Sequence, residues 1–190
     1  MSVTSRMKQS VLGVGLAVAM ATALALPSLA QDADVTQEIT GGTGGLTASI
    51  ADATLPPVAY SNAAQQNPGL LTLSVSDARG TGAGWNVTVS SSDFIYGGTS
   101  PIGEDIPNEN FEILNPPGDP SVVAGQSIIA AGPLAGAGGS LDTAREVIFA
   151  GIGSGSGAYT QNLPVNLDIP AQSQTGTYVA TLTVAIASGP

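Results

Sequence analysis

The chain contains no cysteine and no histidine, and it has only four Lys or Arg residues in 190. These absences remove several kinds of chemistry at once. Ser–His–Asp and Cys–His nucleophilic centres cannot be built. Zinc, copper and iron–sulfur sites lose their preferred ligands. No disulfide can staple the fold, so packing must hold it, and a lipid-modified cysteine is excluded. Aromatic residues are equally sparse, with one Trp, four Tyr and three Phe.

Two of the four basic residues, Arg6 and Lys8, stand just ahead of the apolar run Val11–Leu26, "VLGVGLAVAMATALAL". Pro27 and then Ser28-Leu29-Ala30 follow. A positive start, an apolar middle and small residues at the end form a secretory signal peptide, with cleavage expected after Ala30. The apolar run is shorter than the roughly 20 residues of a spanning helix. No twin-arginine pair precedes it, which fits the general secretion route.

Removal of 1–30 leaves Arg79 and Arg145 against fourteen carboxylates, a net charge of −12, with no Lys. A Ser–Lys dyad is thereby excluded. Nucleic acid requires basic contacts to phosphate, and an anionic membrane surface requires the same charge. Neither is expected as a partner. The acidity favours solubility and a neutral or cationic partner.

The remaining length suits one domain with a real core. Residues 31–45 run from "QDADVTQEIT" into "GGTGG", a flexible polar and Gly-rich lead-in. Residues 46–190 are expected to form a single all-β domain, an antiparallel β-sandwich of Greek-key type. "LTASIADATLPPVAY" offers one or two short strands ended by Pro56-Pro57. In "LLTLSVSD", Leu71, Leu73 and Val75 share one face, and in "GWNVTVSSSDF" Trp85, Val87 and Val89 do the same. The Gly-rich "ARGTGAG" between them predicts a hairpin. Residues 96–121 hold many prolines and acids and read as a surface excursion. "VVAGQSIIAAGPLAGAGG" offers a strand before a Gly-rich loop. "AREVIFAG" reads as a strand, or as a short helix from Asp142. "YTQNLPVNLDIP" reads as a strand with Pro interruptions. In the last run, Tyr178, Ala180, Leu182, Val184 and Ile186 lie on one face.

Catalytic options are few. "GIGSGSG" lacks the spacing and the following helix of a phosphate loop, and reads as a flexible hairpin loop. Glu104, Asp105, Glu109 and Glu112 cluster on the Pro-rich loop, but a glycosidase needs two carboxylates held across a cleft. Calcium is an option for loop 101–120, although the spacing is not that of an EF-hand. No catalytic residue, metal ligand or cofactor is assigned. Asn86-Val87-Thr88 is formally a glycosylation sequon, but it falls on a strand.

Two stretches together carry a resemblance. "SVSDARGTGAGWNVTVSSSDF" (74–94) and "GTYVATLTVAIASGP" (176–190) resemble the WxL family of bacterial cell-surface domains. That family has a Trp-x-Leu motif after a D-x-R-G-T/S-G-x-G-W turn, and a second in a terminal Y-x-x-x-L-T-W-x-L strand. Asp77, Arg79, Gly80, Gly82, Gly84 and Trp85 match the first context, and Tyr178, Leu182, Thr183 and Pro190 the second. The chain departs in both motifs: the first is Trp85-Asn86-Val87, and the second is Val184-Ala185-Ile186 without its Trp. The resemblance implies a role for Asp77, Arg79, Trp85, Asn86, Val87, Tyr178, Leu182, Thr183, Val184 and Ile186 in binding. It further implies non-covalent attachment to cell-wall peptidoglycan, or to other surface proteins, at the cell surface.

The residues themselves leave Trp85 two roles. Its phase with Val87 and Val89 turns the ring inward, while a sheet can also present an aromatic as a contact. Asp77 and Arg79 suit a brace at the end of a turn. The domain occupies nearly all of the chain after the leader. This weakens a pure anchor reading and favours a structural subunit that self-associates through its strand edges into a layer, fibre or matrix.

Overall fold

The computed structural model describes residues 36–115, 118–125 and 133–189. The leader, the first residues of the lead-in, and 126–132 of the run expected to form a strand lie outside the described residues. Residues 39–190 form one compact unit.

Strands arise where apolar residues alternate with polar ones. They are β1 (Leu46–Ile50), β2 (Gln65–Asp77), β3 (Trp85–Ser91), β4 (Ile95–Tyr96), β5 (Phe111–Ile113) and β6 (Ser121–Gly125). After them come β7 (Leu134–Ala135), β8 (Gly139–Ser140), β9 (Arg145–Ala150), β10 (Gly157–Ile169), β11 (Tyr178–Val179) and β12 (Leu182–Ser188). One sheet has the order β1-β2-β10-β5-β8, with β6 also paired to β10; the other has the order β12-β3-β9-β7. A small β4–β11 pair stands apart from both. Every strand pairing among the described residues is antiparallel.

The core lies between the two sheets. Leu71, Leu73 and Val75 of β2 and Tyr159, Leu163, Val165 and Leu167 of β10 meet Trp85, Val87 and Val89 of β3 and Val147 and Ile148 of β9. The fold is thus the all-β antiparallel sandwich that the alternation predicts. Residues 145–150 are a strand and not a helix. Its ladder with β3 slips between Val87 and Thr88, which lets consecutive residues Val147 and Ile148 both be buried.

Three local expectations are corrected. The turn 78–84 does not close a hairpin: β2 belongs to one sheet and β3 to the other, so the turn crosses between sheets. The loop 151–156 crosses in the same way, from β9 to β10. Alternation cannot distinguish these cases, because two inward rows look alike whether they lie side by side or face to face. Part of the presumed surface excursion is interior. Phe94 bridges to Ile106, and Phe94, Ile106, Phe111 and Ile113 are buried. The Phe94 and Phe111 rings meet edge-on at 5.1 Å.

The crossing turn depends on glycine. Gly80, Gly82 and Gly84 all have positive φ. At Gly84, with φ +74, a Cβ would also come within 2.5 Å of the Ala150 carbonyl oxygen; at Gly80, with φ +67, it would meet nothing within 4 Å. Gly80→Ala should therefore cost only the left-handed backbone penalty of about 1–2 kcal/mol. Gly84→Ala adds the displacement of β9 and should cost more. Urea denaturation of the two variants, with m held constant, measures the difference; equal losses would mean that the approach of Gly84 to β9 carries no energy.

Candidate functional site

The first motif and its turn lie at one end of the sandwich, and the open surface lies toward the other. Asp77 closes β2 with its side chain buried, and the Arg79 guanidinium lies over it with Nε 2.9 Å from Oδ1. Arg79 Nη2 donates to Asp77 Oδ2 at 3.0 Å, and the Arg79 amide donates to Oδ1 at 3.0 Å. This carboxylate therefore accepts three hydrogen bonds, in the geometry that makes arginine–carboxylate pairs specific. The guanidinium has further partners on other segments. Nη2 donates to the Gly84 carbonyl at 2.9 Å, and Nη1 donates to Ser188 Oγ. The amide of Gly189 donates to the same Gly84 carbonyl at 3.1 Å.

Trp85 comes next in the chain and is fully buried. Its Nε1–H donates to the Gly155 carbonyl at 2.9 Å, and its ring tilts against Tyr159 with centroids 6.0 Å apart. Gly155 is needed here because a Cβ would fall 2.6 Å from Trp85 Nε1. The Tyr159 hydroxyl donates to Ser156 O at 2.9 Å. Burial, and secondarily the Asp77 charge, push its pKa up.

The open surface lies toward the start of the 13-residue β2, reaching Leu71, six residues or about 20 Å along the strand from Asp77. A groove of about 890 Å³ runs between the extended segment 51–61 and the segment 173–184 that carries β11 and the start of β12. Leu71, Phe111, Leu167 and Ile169 form its apolar floor. Segment 51–61 is fixed by the Asn67 side-chain amide, which donates to Pro56 O at 2.9 Å, and by the Gln172 amide, which donates to Ser61 O at 2.8 Å. Tyr60 is 52% exposed at the rim. Tyr178 packs against Tyr96 at 5.3 Å and donates its hydroxyl to Gln174 O. Asp52 is the one charged residue of the lining.

The ten residues singled out in the sequence therefore divide. Asp77 and Arg79 form the clamp, while Trp85 and Val87 are in the core. Tyr178, Leu182 and Val184 line the groove. Antiparallel pairing of β3 with β12 sets Val87 opposite Ile186 and Val89 opposite Val184, so the two motif strands are neighbours. Asn86 is half-buried, Ile186 is half-buried, and Thr183 is exposed. Sequence reasoning missed segment 51–61. Its one signal was an apolar stretch around Pro56-Pro57 with no strand period.

In the acidic loop, Asp105 accepts a hydrogen bond from the Tyr96 amide at 2.7 Å, and the Asn108 amide donates to Asp93, ahead of the loop, at 2.9 Å. Among the described residues no group of three or more acidic side chains is placed to hold a metal ion. No helix among them is long and apolar enough to cross a membrane.

Residues 36–190 match the family described as "WxL domain surface cell wall-binding". The chain belongs to the WxL family, and it is a cell-surface, wall-binding domain. No curated protein and no solved structure matches it significantly.

The clamp makes a pH prediction. Hydrogen bonding from Arg79, against the opposing effect of burial, holds the Asp77 pKa below its ordinary 3.8. A depressed folded-state value means stabilisation that is present above the ordinary pKa and lost as pH falls through the lower one. Asp77→Asn should lower stability at neutral pH by about 3 kcal/mol and flatten its fall in acid. Denaturation midpoints from pH 7 down to pH 2 measure both; an unchanged acid limb would remove Asp77 as its source.

Proposed function

We propose that this WxL domain is a non-enzymatic attachment module that holds non-covalently to cell-wall peptidoglycan through the groove between segments 51–61 and 173–184. On this reading the leader in residues 1–30 exports it. The observation that carries the proposal is the groove itself, in a chain whose family is wall-binding. It is open, of a size that takes several sugar rings or a short peptide, and rimmed by the Tyr60 and Tyr178 rings. Tyr rings offer an apolar face and a polar tip, which suits a ligand of mixed polarity. With Asp52 as the only charge in the lining, a neutral or cationic ligand is favoured over an anionic one.

Against catalysis stands the residue inventory. The chain has no His or Cys. Asp105 of the Pro-rich region, and Asp93 just before it, each accept a hydrogen bond from a backbone amide.

Co-sedimentation with purified sacculi tests the proposal. Saturable pelleting is expected, and Tyr60→Ala, at an exposed position, should weaken it about 3- to 10-fold, the loss of one aromatic contact. Asn86→Ala, on the outer side of the β3 sheet, should pellet as the parent does. Equal binding by Tyr60→Ala and the parent would displace the ligand from the groove. Binding to whole envelopes but not to sacculi would move the partner from peptidoglycan to a surface protein.

A further inference from the structure

The edge of the sandwich formed by β1 and β12 is unfinished. β1 ends one sheet, β12 ends the other, and the two strands lie beside each other. The inward row of β12, Leu182, Val184 and Ile186, is half-buried, whereas the matching row of β3 is fully buried. Leu46, Ala48 and Ile50 of β1 are half-buried in the same way.

Both edges present unused backbone groups. The Ser92 amide donates to Thr181 O and the Gly189 amide to Gly84 O, which sets the phase of the β12–β3 ladder. Odd-numbered residues of β12 face β3, so the N–H and C=O of Leu182, Val184 and Ile186 point to the free side. The Ala78 amide donates to Gly45 O and sets β1 likewise, leaving Leu46, Ala48 and Ile50 to point away from β2. Proteins protect such edges with charge, proline or a bulge, and neither strand contains any of these. The chain has no charged residue between Glu38 and Asp52 and none after Asp168. In a protein of net charge −10, an edge without charged residues is one where two copies repel each other little. Its outward side chains are also small: Thr47 and Ser49 on β1, Thr183, Ala185 and Ala187 on β12.

We propose that this edge binds a second copy of the chain, β12 against β12 and β1 against β1 in antiparallel pairs about one two-fold axis. Both sheets then run continuously through the dimer, and the half-buried rows of the two copies close over each other. A two-fold contact uses the same patch on both partners, which fits two edges that are each self-complementary. Strands of five and seven residues supply about a dozen residues a side, fewer than the roughly 20–30 of a standard interface. The dimer is therefore a weak, reversible one, in the micromolar range. The edge shares Ile50, Leu182 and Val184 with the lining of the groove, so dimerisation is measured without a wall ligand.

Sedimentation velocity on the protein in its exported form, without sacculi, tests this. A monomer–dimer equilibrium should appear as concentration rises, and added salt should strengthen it by screening the acidic copies from each other. Val184→Pro removes one outward N–H without touching the ladder to β3 and should raise the dimer dissociation constant at least tenfold. Ala185→Cys, a unique thiol in a chain without cysteine, should cross-link between copies with a short bis-maleimide, whereas Ile152→Cys, exposed on the far crossing loop, should not. If Val184→Pro loses its fold by circular dichroism, the cross-link decides alone. A monomer at every concentration, a dimer untouched by Val184→Pro, a cross-link through residue 152 instead of 185, or open-ended growth beyond the dimer would overturn the proposal.

Discussion

The ion pair between Asp77 and Arg79 is the constraint on which the rest of the domain depends. A buried charge pair is costly unless its hydrogen bonds are all met, and here the carboxylate accepts three. The guanidinium then reaches the start of β3 through Gly84 and the end of β12 through Ser188. The residue between them, Ala78, is hydrogen-bonded to Gly42 and Gly45 just ahead of β1. One short segment thus ties together four parts of the chain. By fixing where the chain leaves β2 and enters β3, it brings Leu71, Leu73 and Val75 to face Trp85, Val87 and Val89 across the core.

This arrangement separates the clamp from the groove. Gly80, Gly82, Gly84, Gly153 and Gly155, all with positive φ, lie at the crossing-turn end with the clamp and the hydrogen bond from Trp85 to Gly155. The groove lies toward the other end of β2, where the second sheet has run out and segment 51–61 covers part of the gap. Val184 occupies the place at which the family pattern carries its second Trp, and it lines the groove. A small side chain there leaves space that a larger one would take. The divergent motif thus bears on the shape of the groove and leaves the clamp untouched.

Much of the fold was legible because strand alternation is a direct consequence of burial. The β2 and β3 rows were readable from period two alone, as was the inward phase of Trp85, while residues 159–170 read only as a strand interrupted by proline. What could not be read was which strands share a sheet. Leu71 to Val75 and Trp85 to Val89 would show the same pattern in a hairpin or across a core, and the deciding contacts are polar ones at the turn. Tyr178 to Ile186 alternates as cleanly as β3, yet it is only half-buried, because alternation records which face turns inward and not how much lies above it. Phe94, Ile106 and Phe111 were hidden among prolines and acids, where isolated apolar residues carry no period. Segment 51–61 was illegible for the same reason. All ten residues marked for binding were marked by motif, and three of them line the groove; a motif can preserve a fold as well as a contact.

The most direct measurement uses the chain's single tryptophan. Fluorescence excited selectively at Trp85 should be blue-shifted and resistant to acrylamide quenching. It should stay unchanged when saturating sacculi are added, because the ring is sealed in the core and hydrogen-bonded to Gly155. Emission typical of a water-exposed indole, or a shift and quench that follow wall binding, would place Trp85 in contact with the ligand and contradict the separation of core from groove.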